Sequence, residues 1–279
     1  MDRATGLGSL ALVLWASLAL LSRAAASLPP LQLTAMAFAI SAVLGLAWLW
    51  SRGQLGALRQ PPLVWLHGVG GLFGYHALFF AALAYAPAAE ANLLNYLWPL
   101  LIVVLSAPIL GMRLSERHVL GVVTGLCGSL LLLARGTNFS ADAVFGYACA
   151  AGAALTWALY SVLARRLHAV PTQAVVGFCA GTAVLAAVAH VVFERTVVPG
   201  GTVLASVLLL AVGPLGAAFV LWDIGMKRGD PRLLGTLAYA TPVASTLLLG
   251  LGGFTPLSLL TIAAALLVAL GGWISTRAR

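Results

Sequence analysis

The strongest constraint on this chain is its succession of apolar runs, each about twenty residues long and each ended by charges, proline or glycine. At the 1.5 Å rise of a helix, such a run matches the ~30 Å hydrocarbon thickness of a bilayer. The runs lie near residues 7–24, 31–51, 62–86, 90–111, 117–134, 144–165, 172–193, 202–226, 232–252 and 256–275. With 62% hydrophobic residues, 8% charged and a mean hydropathy of +1.04, the chain has too little polar surface to cover a water-soluble domain. The sequence predicts an all-α polytopic membrane protein with ten transmembrane helices and no connection long enough for a separate soluble domain. Residues 1–27, with Arg3, a Leu/Ala run and Ala24-Ala25-Ala26-Ser27, imitate a cleavable signal peptide. Because this run has a counterpart later in the chain, it reads as the first helix.

The net charge of +8 would suit nucleic acid, but the basic residues fall between apolar runs rather than on one face, so no nucleic-acid partner is expected. Of fifteen Lys and Arg, Arg23, Arg135 and Arg195 fall on one side of the predicted membrane. The other twelve, Arg59, Arg113, Arg117, Lys227 and Arg232 among them, share the side of both termini. Short cytoplasmic loops collect positive charge, so both termini are expected in the cytoplasm and the chain in a cell inner membrane. Cys127, Cys149 and Cys179 are isolated in apolar runs, which fits packing rather than a disulfide framework or a metal site. No metal or cofactor is expected.

The two halves repeat. Trp15 precedes Pro29 by fourteen residues, and Trp157 precedes Pro171 by the same interval. Farther on, Asn95-Tyr96-Leu97-Trp98-Pro99 aligns with Ala238-Tyr239-Ala240-Thr241-Pro242. Five crossings move a chain to the opposite side of the membrane, so two tandem five-helix units must be inverted. The predicted units are residues 1–140 and 141–279. Inverted repeats build many secondary transporters, with substrate held near the midplane between them.

This arrangement, the proline in the fourth helix of each half and the glycines Gly121, Gly125 and Gly128 of the fifth resemble the EamA-type drug/metabolite transporters. Tyr75-His76, the asparagines that open helix four and LNYLWPLLIVVLSAPILGMRLS resemble, within that superfamily, the YddG-type aromatic amino acid exporters. The resemblance covers essentially the whole chain. It implies a secondary transporter moving aromatic and other neutral amino acids out through a central cavity by alternating access. Arg113 departs from the family pattern, in which many members carry Glu just before the fifth helix.

Gly70 to Pro99 is apolar enough for lipid yet carries Tyr75, His76, Tyr85, Glu90, Asn92, Asn95, Tyr96 and Trp98. Polar and ionisable groups in a membrane are expensive and commonly face a cavity or a partner helix. It reads as two helices joined at Ala86–Ala89. His76 sits near the midplane, where a neutral imidazole can donate to a carboxylate, accept from an ammonium or exchange a proton. Asn95 suits a cavity wall or an interhelical hydrogen bond. Trp15, Tyr75, Phe79, Trp98, Trp157, Tyr160 and Tyr239 are deep aromatics that can stack on a substrate ring or attract an amine. With His76 and Asn95 they make the expected substrate-binding set. Trp98 and Trp157, as cavity wall, are expected to matter more for transport than for folding. Trp48, Trp50, Trp65 and Trp273 suit interfacial anchoring. Glu90 and Asp223 lie near span ends, within reach of interfacial water.

An enzyme is not expected. Gly6-x-Gly8-x-x-Ala11 matches a dinucleotide fingerprint only formally, since no strand precedes it. There is no nucleophile elbow or HExxH motif. A phosphate-carrying substrate would call for Lys or Arg deep in the pathway, and none occurs from Gln60 to Met112 or from Thr196 to Met226. A zwitterionic amino acid needs no net countercharge. Alternatives are a proton-coupled exporter of other small metabolites or drugs, or a membrane scaffold that does not transport. Lipid is the expected surroundings, and a monomer is compatible with the sequence. Cysteine labelling at Thr137 and at Arg59 is expected to report opposite sides of the membrane; labelling of both from one side would remove the inverted repeat along with the topology.

Overall fold

The computed structural model describes residues 1–133, 139–251, 253 and 258–278. Arg135, Thr137 and Arg279, which enter the topology reading, lie outside the described residues. Among the described residues the chain is all helical. The helices are α1 (Arg3–Ala24), α2 (Pro30–Ser51), α3 (Pro62–Tyr85) and α4 (Ala88–Leu110). They continue with α5 (Glu116–Leu133) and α6 (Val144–Arg166). The remainder are α7 (Ala174–Phe193), α8 (Gly201–Arg228), α9 (Pro231–Leu251) and α10 (Leu259–Thr276). Nine helical stretches among the described residues are long and apolar enough to cross a membrane. This is the multi-pass architecture that the apolar runs predict.

Helix boundaries follow local chemistry. Prolines open α2, α3 and α9, where a missing N–H costs nothing because the first turn has no intrahelical acceptor for it. Asp2, Asp230 and Ser258 cap α1, α9 and α10 by accepting backbone N–H bonds from Thr5, from Arg232 and Leu233, and from Thr261. Gly111, at φ +67°, ends α4 in the left-handed conformation that a glycine adopts without strain.

The long helices are not straight. Helix α1 breaks at Ser17, whose hydroxyl donates to the Leu14 carbonyl at 2.7 Å. Helix α4 breaks at Tyr96–Leu97, just before Pro99. A π-helical turn, Gly213–Ala217, interrupts α8 around Pro214. Helix α9 breaks at Ala238–Tyr239, just before Pro242. Proline, lacking an N–H and crowding the carbonyl four residues back, is what divides three of these helices, the loosening that Pro99 implies for α4 included.

Helix α5 packs along α10, α2 along α7, α3 along α6, and α1 along the second half of α8. At one end of the bundle, hydrogen bonds tie the basic segments to both termini. The Asp230 N–H donates to Thr5 Oγ1 at 2.9 Å and Arg165 donates to the Gly229 carbonyl. Arg232 donates to the Arg113 carbonyl, and Arg117 to the Arg277 carbonyl, each at 2.8 Å. At the other end the Glu194 carboxylate accepts from the N–H groups of Leu31 and Gln32 at 2.9 and 3.0 Å, capping α2 from a distant loop.

The α5–α10 contact is backbone on backbone. A Cβ on Gly271 would stand 2.5 Å from the Gly121 carbonyl oxygen and 2.7 Å from the Gly125 nitrogen. Neither atom can yield without separating the helices. Gly271→Ala is therefore expected to cost about 1–3 kcal/mol of stability through overpacking. Thermal unfolding of the detergent-solubilised protein measures it, and an unchanged midpoint would mean that the helices are farther apart than described.

Candidate functional site

Between α1, α2, α3, α4, α6, α8 and α9 lies a cavity of about 570 Å³, within the usual range for small-molecule sites. Seven of the nine residues expected at the site line it: Trp15, Tyr75, His76, Phe79, Asn95, Trp98 and Trp157. Tyr160 and Tyr239 are not on its wall. Tyr160 packs behind Trp157, with ring centroids 5.2 Å apart, and stacks on His67 at 5.0 Å. Tyr239, in the break of α9, turns away toward α5 and is wholly buried against Gly125. The wall also holds Tyr96, Phe80, Phe219, Thr34, Thr241 and Ser245. For Thr241 the sequence did carry a signal, because it occupies in the second half the place of Trp98 in the first.

The cavity reaches the end of the bundle opposite the termini. Ala25, Ala26, Leu28 and Pro30 of the α1–α2 connection line it, with Leu83 and Asn92 from the facing ends of α3 and α4. Toward the termini it is closed by aromatic rings. Trp15 meets Trp157 at 5.4 Å, Trp222 at 5.1 Å, Phe219 at 5.9 Å and Trp98 at 6.5 Å, mostly edge to face. Edge-to-face geometry sets the positive ring edge against the negative face of its neighbour. The polar indole atoms are also used. Trp15 Nε1 donates at 3.0 Å to the Pro214 carbonyl in the π-helical turn, and Trp222 Nε1 donates at 3.0 Å to Ser161 Oγ.

One residue below Trp222 the closure becomes ionic. Asp223 Oδ2 and Lys227 Nζ lie 2.9 Å apart with both side chains buried. Thr172 Oγ1 donates to Asp223 at 2.7 Å, and Lys227 donates to the Val170 carbonyl at 2.9 Å. The expectation that Asp223 reaches interfacial water is corrected: the α6–α7 connection folds over it and leaves it 4% exposed. Glu90 is likewise buried, at 3%, in the first turn of α4. His190 is structural, bonded to Glu194 Oε2 at 2.8 Å and Thr196 Oγ1 at 2.9 Å at the end opposite the termini. Trp50, Trp48 and Trp273 are exposed at helix ends, whereas Trp65 is half-buried against Phe178.

The polar wall has defined hydrogen-bonding roles. His76 Nδ1 lies 2.7 Å from the Leu72 carbonyl. A carbonyl only accepts, so Nδ1 carries the proton, and in a neutral ring Nε2 is an acceptor. Asn95 Nδ2 donates to Tyr75 Oη at 3.2 Å, which leaves Oδ1 as its acceptor. Among the described lining residues none carries a formal charge. The arrangement can enclose a neutral or zwitterionic molecule with an aromatic or apolar side chain, and it has no countercharge for a phosphate or a simple cation.

Comparison with known proteins agrees in kind. The model of the EamA-like transporter family matches residues 4–134 and again residues 144–277. The chain is 51% identical to a protein of Ancylobacter novellus named aromatic amino acid exporter YddG, over 95% of this chain and 94% of that one. A protein of the same name from Salmonella typhimurium is 26% identical over 100% of this chain and 99% of its own length. A solved crystal structure superposes with a TM-score of 0.95 at 48% identity, covering 98% of this chain and 96% of the other.

Burial revises the expected behaviour of the floor tryptophans. Trp98 and Trp157 are 6% and 4% exposed, part of the aromatic cluster rather than a loosely packed wall. Trp157→Ala is expected to lower stability by roughly 3–5 kcal/mol, as for other buried aromatics, besides impairing transport. Asn95→Leu, which removes the bond to Tyr75 Oη from an equally buried position, is expected to cost about 1 kcal/mol and to reduce transport. Equal unfolding midpoints for Trp157→Ala and the wild type would show that the cluster does not bear on the fold.

Proposed function

The chain belongs to the EamA-like transporter family, and we propose that it moves aromatic and other neutral amino acids out across the bacterial inner membrane. The observation that carries this reading is the cavity: deep, aromatic, supplied with hydrogen-bonding groups and free of formal charge among its described residues. An amino acid brings both charges with it, and its side chain finds aromatic faces at hand. The name carried by the 51% identical relative points to the same substrates. The protein is a transporter and not an enzyme.

The proposed architecture is ten transmembrane helices in two inverted five-helix units, residues 1–140 and 141–279. Two observations support it. The family model matches twice, once in each half. The closest helix pairings are also related by a shift of five: α2 with α7 and α5 with α10 pair equivalents, while α3 with α6 and α1 with α8 exchange places. The gathering of Arg113, Arg117, Arg165 and Arg232 with both termini supports a cytoplasmic location for that end. In that orientation the cavity opens outward, and the aromatic floor with the Asp223–Lys227 pair beneath it forms the cytoplasmic closure. Transport follows when one half rocks against the other and the opposite end closes.

Movement is proposed to be facilitated rather than driven by an ion. Apart from the phenols of Tyr75 and Tyr96, His76 is the ionisable side chain on the described wall, and its Nδ1 is held by the Leu72 carbonyl. A site of modest affinity with two alternating gates is sufficient for an exporter relieving cytoplasmic excess. Uptake of labelled phenylalanine into sealed proteoliposomes, with no pH or ion gradient, should rise to equilibrium and stop. Accumulation above equilibrium only under an imposed proton gradient, lost in His76→Ala, would show instead that His76 couples transport. Absence of phenylalanine movement, with transport of amines or sugar phosphates, would overturn the substrate class.

A further inference from the structure

Two residues of the cavity wall each carry a buried polar atom for which the fold supplies no partner. Asn95 Oδ1 and Thr241 Oγ1 are both buried without a hydrogen bond. Both residues line the cavity, at 4% and 8% exposure. A buried polar group without a partner costs about 1–3 kcal/mol, so its presence on a cavity wall points to a ligand that supplies the bond.

Thr241, like Thr182 in α7, lacks the bond that most helical threonines here make. Thr34, Thr124, Thr236 and Thr246 each turn the hydroxyl back to the carbonyl four residues earlier, at 2.7–3.0 Å, the usual resting place of a helical threonine. For Thr241 that carbonyl belongs to Leu237, on the far side of the break at Ala238–Tyr239. The break therefore releases the hydroxyl. Thr241 is the second residue of the segment Ala240–Leu251, twelve residues long, whose first turn faces the cavity through Thr241 and whose second does so through Ser245. The first turn of a helix segment favours negative charge. Asn95 is the complement. With Nδ2 donated to Tyr75, its oxygen can only accept, and His76 Nε2 is an acceptor too.

On the amino acid reading above, we propose that these two orphaned groups divide the substrate's backbone charges between the two halves of the protein. Thr241 Oγ1 donates to the α-carboxylate at the start of the second segment of α9. Asn95 Oδ1, at the break in α4, accepts from the α-ammonium, for which His76 Nε2 is a second acceptor on the same wall. Thr241 is then a recognition residue for the carboxylate, and the aromatic wall is left to the side chain. The assignment makes a specificity prediction that side-chain packing alone does not. The transporter should select against an aromatic amine lacking the carboxylate, and that selection should reside in one hydroxyl.

The test compares L-phenylalanine with phenethylamine in proteoliposomes carrying wild type, Thr241→Val or Thr241→Ser, each first shown to be monodisperse with a near-wild-type unfolding midpoint. Thr241→Val keeps shape and removes the hydroxyl. It should raise the KM for phenylalanine about tenfold, the scale of one lost bond to a charged group. The KM for phenethylamine should stay within about twofold. Thr241→Ser should restore the phenylalanine value. If Thr241→Val does not fold, Thr241→Ala is read in its place. Equal losses for both compounds, or no change in Thr241→Val, would overturn the assignment while leaving amino acid export intact. Failure of the wild type to carry phenylalanine would instead remove the reading on which it rests.

Discussion

Inside a bilayer no water is available to a backbone N–H or C=O, and every such group must be bonded within the protein or face a wet cavity. The architecture depends on that constraint. Most of the chain satisfies it with uninterrupted helix. Among the described residues the four departures, at Ser17, Tyr96–Leu97, Gly213–Ala217 and Ala238–Tyr239, each hold or lie close to a residue that lines the cavity: Leu18, Trp98, Leu215 and Thr241. The π-helical turn shows how a departure is put to use. Its Pro214 carbonyl accepts the buried indole N–H of Trp15, so an irregularity in the second half anchors the central aromatic of the first.

The closure beneath the cavity is layered. Aromatic edges and faces fill the upper layer, each such pair worth about 0.5–1.5 kcal/mol beyond its buried area. The lower layer is a buried ion pair completed by Thr172 and the Val170 carbonyl. Helix α8 supplies both through consecutive residues, Trp222 and Asp223, so a rotation of that helix disturbs the two layers together. A buried pair holds only while each charge keeps its partner. Separation of α8 from the α6–α7 connection must therefore expose Asp223 and Lys227 to water in the same movement.

Much of this was legible in the sequence because lipid imposes long-wavelength patterns. Run length, charge asymmetry and the recurrence of Trp15 at Trp157 survive without knowledge of any side-chain contact. The cavity aromatics were found for the same reason, since large polar-tipped rings deep in apolar spans are conspicuous. What escaped depended on direction rather than identity. Tyr160 is three residues from Trp157, yet one lines the cavity and the other packs behind it. Tyr239 lies two residues from Thr241, but the break in α9 turns the tyrosine toward α5 and the threonine toward the cavity. Asp223 looked interfacial because position along a helix does not reveal the connection that folds over it.

The buried pair beneath the floor has a bearing on the electrical character of transport. Asp223 and Lys227 carry opposite unit charges 2.9 Å apart on one helix turn. Any displacement that carries the turn through the membrane field moves a dipole and no net charge. A zwitterion in the cavity likewise adds zero. The work done by the membrane potential, about 2.3 kcal/mol per elementary charge per 100 mV, cancels for both. For a zwitterionic cargo the membrane potential therefore does no net work on the pair and the cargo as they move together.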